Sequence, residues 1–213
     1  MKSRLRAACV VSAAALSGLV LAGSPAAADC NPDTALYEDD FEFMDGSWGQ
    51  PDDHLYVEDG VFVTKGGYGL VNFQTTTEAG DICVDATIAE AGDPDNTGAW
   101  VIFWWQDWDN YYSVGYWGNG AFQADRKVKG KWVSVSYAAP SPAIKAGVGK
   151  TNHIEVKLTS KDATILVNGT QVNRFKGKPP QGGGPVGFQS SEPEGKPATV
   201  TFDNLVVNGA STE

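Results

Sequence analysis

Residues 152–207 read NHIEVKLTSKDATILVNGTQVNRFKGKPPQGGGPVGFQSSEPEGKPATVTFDNLVV, and this stretch decides the fold class. Ile154, Val156 and Leu158 alternate with His153, Glu155 and Lys157, the period of a half-buried strand. Ser160-Lys161-Asp162 turns the chain into a second apolar run, Ala163–Val167. Asn168-Gly169 follows, a dipeptide that tolerates positive φ at both centres of a type I′ hairpin. Val172–Phe175 returns, a Pro/Gly loop spans 176–185, and 186–189 and 199–207 complete the set. No helical periodicity competes. The reading is an all-β, antiparallel protein.

Working upstream, strands are expected near 36–43, 54–64, 67–76, 81–90, 98–106, 110–118, 120–128 and 131–138, separated by Gly-rich turns at the spacing of a β-sandwich. Residues 139–150 are expected to be a loop, because Pro140 and Pro142 remove ladder donors. Gly182-Gly183-Gly184 precedes a strand and no helix, so it is a loop and not a phosphate cradle.

The first 28 residues carry Lys2, Arg4 and Arg6, then an Ala/Val/Leu core, then Ala26-Ala27-Ala28. That is the layout of a secretory signal peptide cleaved after Ala28, and no other long apolar run suggests membrane insertion. The expectation is a secreted or periplasmic protein whose residues 29–213 form a single domain. Cleavage removes three of 16 basic groups and none of 26 acidic ones, driving the formal charge of −10 further down. Such a balance argues against nucleic acid or anionic membrane as partner. It suits a neutral ligand or a bound cation. With Cys9 lost, Cys30 and Cys83 remain, and in an oxidising compartment they most simply form one disulfide.

Aromatic residues supply the functional lead. Trp100, Trp104, Trp105, Trp108, Tyr111, Tyr112, Tyr116 and Trp117 crowd one segment. Alternation assigns Val101, Phe103, Trp105, Tyr112, Val114 and Tyr116 to the core. It leaves Trp104, Tyr111, Ser113 and Trp117 on the opposite face, with Gln123, Asp125 and Lys127 beside them, and puts Asp85 outward as well. Flat rings next to carboxylates and amides suit a sugar, whose C–H face stacks while its hydroxyls pair with polar groups. The plainer reading is that the belt packs a sandwich. His54 and His153 have no metal-type spacing, and no Ser/His/Asp triad stands out.

The "VNG" hairpin, the "GPVGFQ" strand and the final "VTFDNLVV" strand resemble the concanavalin A-like sandwich domains, as do residues 39–64 and 96–132. That group includes laminin-G-like modules, lectins, family-16 glycoside hydrolases and 3-keto-disaccharide hydrolase domains. The resemblance implies a jelly-roll β-sandwich with glycans on a concave sheet. Glu38, Asp40 and Glu42 fit the E-x-D-x-E spacing of the family-16 enzymes, where such residues act as nucleophile, assisting aspartate and general acid. The fit is imperfect: Asp39 stands where that family has an aliphatic residue, and the motif lies in the first strand. Asp85, Asp125 and Glu155 form an alternative acid/base set if they share the concave face. The resembled glucanases also imply a structural calcium ion, here on Asp40, the Gly60 carbonyl and Asp203, hard oxygen donors of the kind Ca²⁺ prefers. No other cofactor is expected.

The combined expectation is an exported, lectin-like protein binding an oligosaccharide or polysaccharide through Trp104, Tyr111, Trp117, Asp85, Gln123, Asp125 and Lys127. A glycoside hydrolase or 3-keto-disaccharide hydrolase/lyase on the same face, and a non-catalytic protein-interaction module, are the alternatives.

Overall fold

The computed structural model describes residues 30–210; the expected signal peptide lies outside them. In chain order the strands are β1 (Ala35–Asp39), β2 (Leu55–Glu58), β3 (Val61–Lys65), β4 (Gly69–Thr77), β5 (Gly80–Ala91), β6 (Gly98–Asp107) and β7 (Asn110–Trp117). They continue with β8 (Ala121–Val128), β9 (Lys131–Pro140), β10 (Thr151–Leu158), β11 (Asp162–Val167), β12 (Thr170–Lys176), β13 (Gly184–Ser191) and β14 (Ala198–Asn208). One sheet runs β12-β11-β10-β5-β14-β3-β2, with β1 also on β14, and the other runs β4-β13-β6-β7-β8-β9. All pairs are antiparallel.

Local chemistry explains the tight turns. Asp59-Gly60, Lys129-Gly130 and Asn168-Gly169 all take positive φ at both residues, which matches the twist of the strands they join. The first of these splits the expected 54–64 run into two strands. β1 ends at Asp39, earlier than the expected 43, because Phe41 adopts φ 52° and turns its ring into the core. β9 instead extends to Pro140, where the sheet edge tolerates a missing donor.

The core lies between the sheets. Ile82, Val84, Ala86 and Ile88 face it from β5, Ile154, Val156 and Leu158 from β10, and Val101, Phe103, Val114 and Tyr116 from β6 and β7. Phe188 of β13 stacks on Phe202 of β14 at 4.3 Å, ring to ring across the layers. The Tyr116 hydroxyl donates to the Ala86 carbonyl at 2.8 Å, satisfying a buried polar group and tying one sheet to the other. Cys30 and Cys83 are disulfide-bonded over a separation of 53 residues, as expected.

Candidate functional site

The outer face of the six-stranded sheet has a floor of glycine. A Cβ on Gly115 would lie 2.0 Å from the Ala99 carbonyl oxygen and 2.8 Å from the Trp100 ring, and one on Gly98 would lie 2.7 Å from Trp100 Nε1. Their bare backbones let the Trp100 indole settle against the sheet. Trp117 meets that indole edge-on at 5.1 Å. The Trp117 Nε1–H donates to Gln123 Oε1 at 2.8 Å, and Gln123 Nε2 donates to Asp125 Oδ2 at 2.5 Å. Three side chains from β7 and β8 are thereby fixed relative to one another.

Asp125 pairs across the strands with Ser113 on one side and Ser134 on the other, so a carboxyl sits between two hydroxyls in one row. Burial pushes the Asp125 carboxyl above the ordinary carboxylate range, with the Gln123 contact opposing. Around this row lies a groove of about 660 Å³, walled by Trp100, Trp117, Trp132 and Tyr137 and closed by Gln189 and Glu192. Apolar ring surface and convergent hydrogen-bonding groups are thus combined in one concavity.

Five of the anticipated ligand residues share this face: Tyr111, Trp117, Gln123, Asp125 and Lys127. Tyr111 lies beneath the surface, its hydroxyl 3.5 Å from Gln189 Oε1, and burial pushes its pKa up to about 12, so it stays protonated. Lys127 Nζ lies over the rings of Tyr111 and Trp132, at 5.8 and 5.6 Å from their centroids.

Two anticipated residues are elsewhere. Trp104 is in the core, not on the outer face. Its φ of 47° breaks the alternation of β6, and the β6–β7 register shifts between Phe103 and Asp107. The displaced indole packs edge-on to Tyr112 and donates to the Glu78 carbonyl at 3.2 Å. Gly177 makes room for it, since a Cβ there would approach the ring to 2.0 Å. The same irregularity moves Trp105, expected inside, to the outer face beside Val71, Ile102 and Tyr111. Asp85 lies on the eight-stranded sheet, where it meets His153 Nδ1 at 2.7 Å and accepts from Asn204 Nδ2 at 3.0 Å. Glu155 is on that sheet too, 3.2 Å from Lys157 Nζ. The Asp85–Asp125–Glu155 set is therefore not assembled.

Glu38, Asp40 and Glu42 do not line one strand face, because β1 has ended and Phe41 has turned the chain. All three are exposed, and Glu38 and Asp40 border a separate cleft of about 530 Å³ with Tyr37, Phe43 and Asn204. The interposed Asp39 is the structural member: it accepts from Trp48 Nε1 at 2.8 Å, from the Tyr37 hydroxyl at 2.9 Å and from the Phe41 amide at 2.9 Å. Asp40 and Asp203 are near enough to act on each other. The Asp203 carboxyl is pushed up by burial and then by the charges of Asp85 and Asp40. Among the described residues no group of three or more His, Cys, Asp or Glu side chains is arranged to hold a metal.

Sequence reasoning missed Trp100, Trp132, Tyr137 and Gln189 as groove residues. The Gly98-x-Trp100 spacing, with Gly115 on the next strand, was a usable signal: glycines beside a tryptophan mark a seat for its ring.

Solved structures that share the fold differ widely in sequence. The catalytic domain of an endo-1,3-beta-glucanase (laminarinase) from Thermotoga petrophila superposes with a TM-score of 0.58 at 11% identity, over 84% of this chain and 98% of that one. The carbohydrate binding module CBM66 from Bacillus subtilis gives 0.55 at 16%, over 68% and 84%. An endo-β-galactosidase from Clostridium perfringens gives 0.58 at 10%, over 80% and 61%. These establish a concanavalin A-like sandwich. No curated protein matches the sequence closely enough to count as a relative. A model of the 3-keto-alpha-glucoside-1,2-lyase-like domain matches residues 37–208, nearly all of the described chain, and the protein belongs to that family.

Proposed function

We propose that this protein is exported and binds a saccharide in the groove on the outer face of its six-stranded sheet. The observation that carries the reading is the Trp117–Gln123–Asp125 chain set against the Trp100 indole. A pyranose has an apolar C–H face and equatorial hydroxyls, and the groove offers a ring wall beside fixed polar groups. The names of the solved structures that share the fold, a glucanase, a carbohydrate binding module and a galactosidase, are in keeping with it. A disulfide agrees with an oxidising compartment. Titration with an oligosaccharide panel, followed by tryptophan emission, tests the proposal. A saturable, stable change that Trp117→Ala abolishes is the expected result; silence across the panel would turn the assignment toward a protein-interaction module.

A second reading follows from the family and from Asp125. A half-buried carboxyl with a raised pKa, positioned by an amide, suits a general base. On a 3-keto glucoside it would take the proton from carbon 2 as the C1–C2 double bond forms and the glycosidic oxygen leaves. A signal that decays as aglycone is released, and that Asp125→Asn stops, would select this reading.

A structural calcium ion on Asp40, Asp203 and the Gly60 carbonyl belongs to the same proposal. Support comes from the Asp203 carboxyl, raised by burial and further by the charges of Asp85 and Asp40, which a cation would offset. Melting in calcium against chelator decides it: a rise of several degrees is expected, and no shift removes the site.

A further inference from the structure

Beside the groove a row of five aromatic rings crosses the six-stranded sheet. Phe73 of β4 meets Trp105 at 5.6 Å, Trp105 meets Trp108 at 5.8 Å, Trp108 meets Tyr111 at 5.8 Å, and Tyr111 meets Trp132 of β9 at 5.6 Å. Every contact is edge-to-face. Exposure alternates along the row. Phe73, Trp108 and Trp132 are 65%, 42% and 53% exposed, while Tyr111 is 3% exposed and Trp105 is half-buried. Each exposed ring is thus propped by a more buried one, and successive exposed rings are separated by two such contacts.

We infer that this row is an extended-chain subsite, and that the ligand is an unbranched oligosaccharide or polysaccharide of which the groove holds only one part. The inference rests on the saccharide reading of the groove, and Trp132 joins the two, since it both ends the row and walls the groove. The backbone supports it independently. Trp104 occupies the left-handed region, unusual for a bulky residue, and this local irregularity brings Trp105 out of the core to prop Phe73 and Trp108. The exposed rings also offer apolar surface at intervals along the row, which successive pyranose C–H faces can meet.

The test compares dimers with hexamers of β-1,4-glucan, β-1,3-glucan and β-1,4-xylan by calorimetric titration of the purified protein. The parent protein binds its preferred hexamer at least tenfold more tightly than the dimer. Trp108→Ala and Phe73→Ala, both exposed, each remove a threefold or greater part of that gain and leave dimer affinity unchanged. Equal affinity for dimer and hexamer, or a length gain that survives the double variant, overturns the inference. Hexamer binding that falls in Trp108→Ala but not in Trp117→Ala leaves the glycan on the row alone, which sinks the groove reading and overturns the inference that row and groove form one site. Silence with every sugar overturns both. Self-association in sedimentation that Trp108→Ala abolishes gives the row to a second copy of the chain and overturns the glycan assignment.

Discussion

The outer faces of the two sheets are built on different terms. On the eight-stranded sheet charged groups find partners: Asp85 with His153 and Asn204, Asp162 with Arg174, and Lys65 with the Tyr56 hydroxyl. On the six-stranded sheet, rings occupy the surface and Asp125 is half-buried beside an amide. The two aspartates measure the difference. Burial alone would raise both. At Asp85 the hydrogen bonds from His153 and Asn204 outweigh it and hold the carboxyl below its ordinary range, whereas at Asp125 burial prevails. One face is arranged to be stable as it stands. The other holds a carboxyl above its ordinary range among exposed rings, the environment of a binding or catalytic group.

The most severe way to disturb this contrast is Trp104→Ala. It empties the pocket on which the β6 irregularity depends and should cost about 3–5 kcal/mol in urea unfolding, the usual penalty for a buried tryptophan. Gly177→Ala reaches the same indole from across the core. A Cβ at 2.0 Å must displace the ring, for about 1–3 kcal/mol, and should perturb the Trp105–Trp108 pair without touching it.

Smaller and sharper is the pair Asp85→Asn and Asp125→Asn. A depressed native pKa contributes stability above the ordinary aspartate range, lost as pH falls through the depressed value. Asp85→Asn should therefore destabilise at pH 7 by about 1 kcal/mol, a difference that closes on acidification. A raised native pKa has the opposite sign: the ionised form costs stability at neutral pH, and the cost fades as pH falls through the raised value. Asp125→Asn should therefore be neutral or slightly stabilising at pH 7, by up to about 1 kcal/mol, while weakening saccharide binding. The same sign for both substitutions would erase the distinction between the faces. Least of all, Trp108→Ala should move stability by no more than about 0.5 kcal/mol, as exposed substitutions do, which leaves any binding defect interpretable.

The strand pattern was legible in the sequence because it is local. Asn168-Gly169 announces a hairpin, and the alternation through Ile82, Val84, Ala86 and Ile88 marks an inner face. Alternation separates in from out but does not say which sheet a strand joins. Asp85 and Asp125 both read as outward, and the chain sends them to opposite sides of the molecule. Nor does alternation foresee an irregularity. Nothing local distinguishes Trp104 from Trp105; the space left by Gly177, far away in sequence, makes room for the former in the core. The E-x-D-x-E spacing failed for a related reason. Phe41 is drawn inward by Trp48, Phe62 and Phe188, and the carboxylates around it leave the strand geometry that the spacing assumes.

The left-handed residue at Trp104 acts as an extra beat in the two-residue rhythm of β6. By the same alternation, deleting that one codon would leave Phe103 inward and Trp105 outward, so the core alone would lose an indole. Trp105 would still lie between Phe73 and Trp108, and the exposed row would keep its prop. One extra residue at this point therefore adds a buried anchor without turning over the face that carries the rings, so core and ligand surface can vary separately.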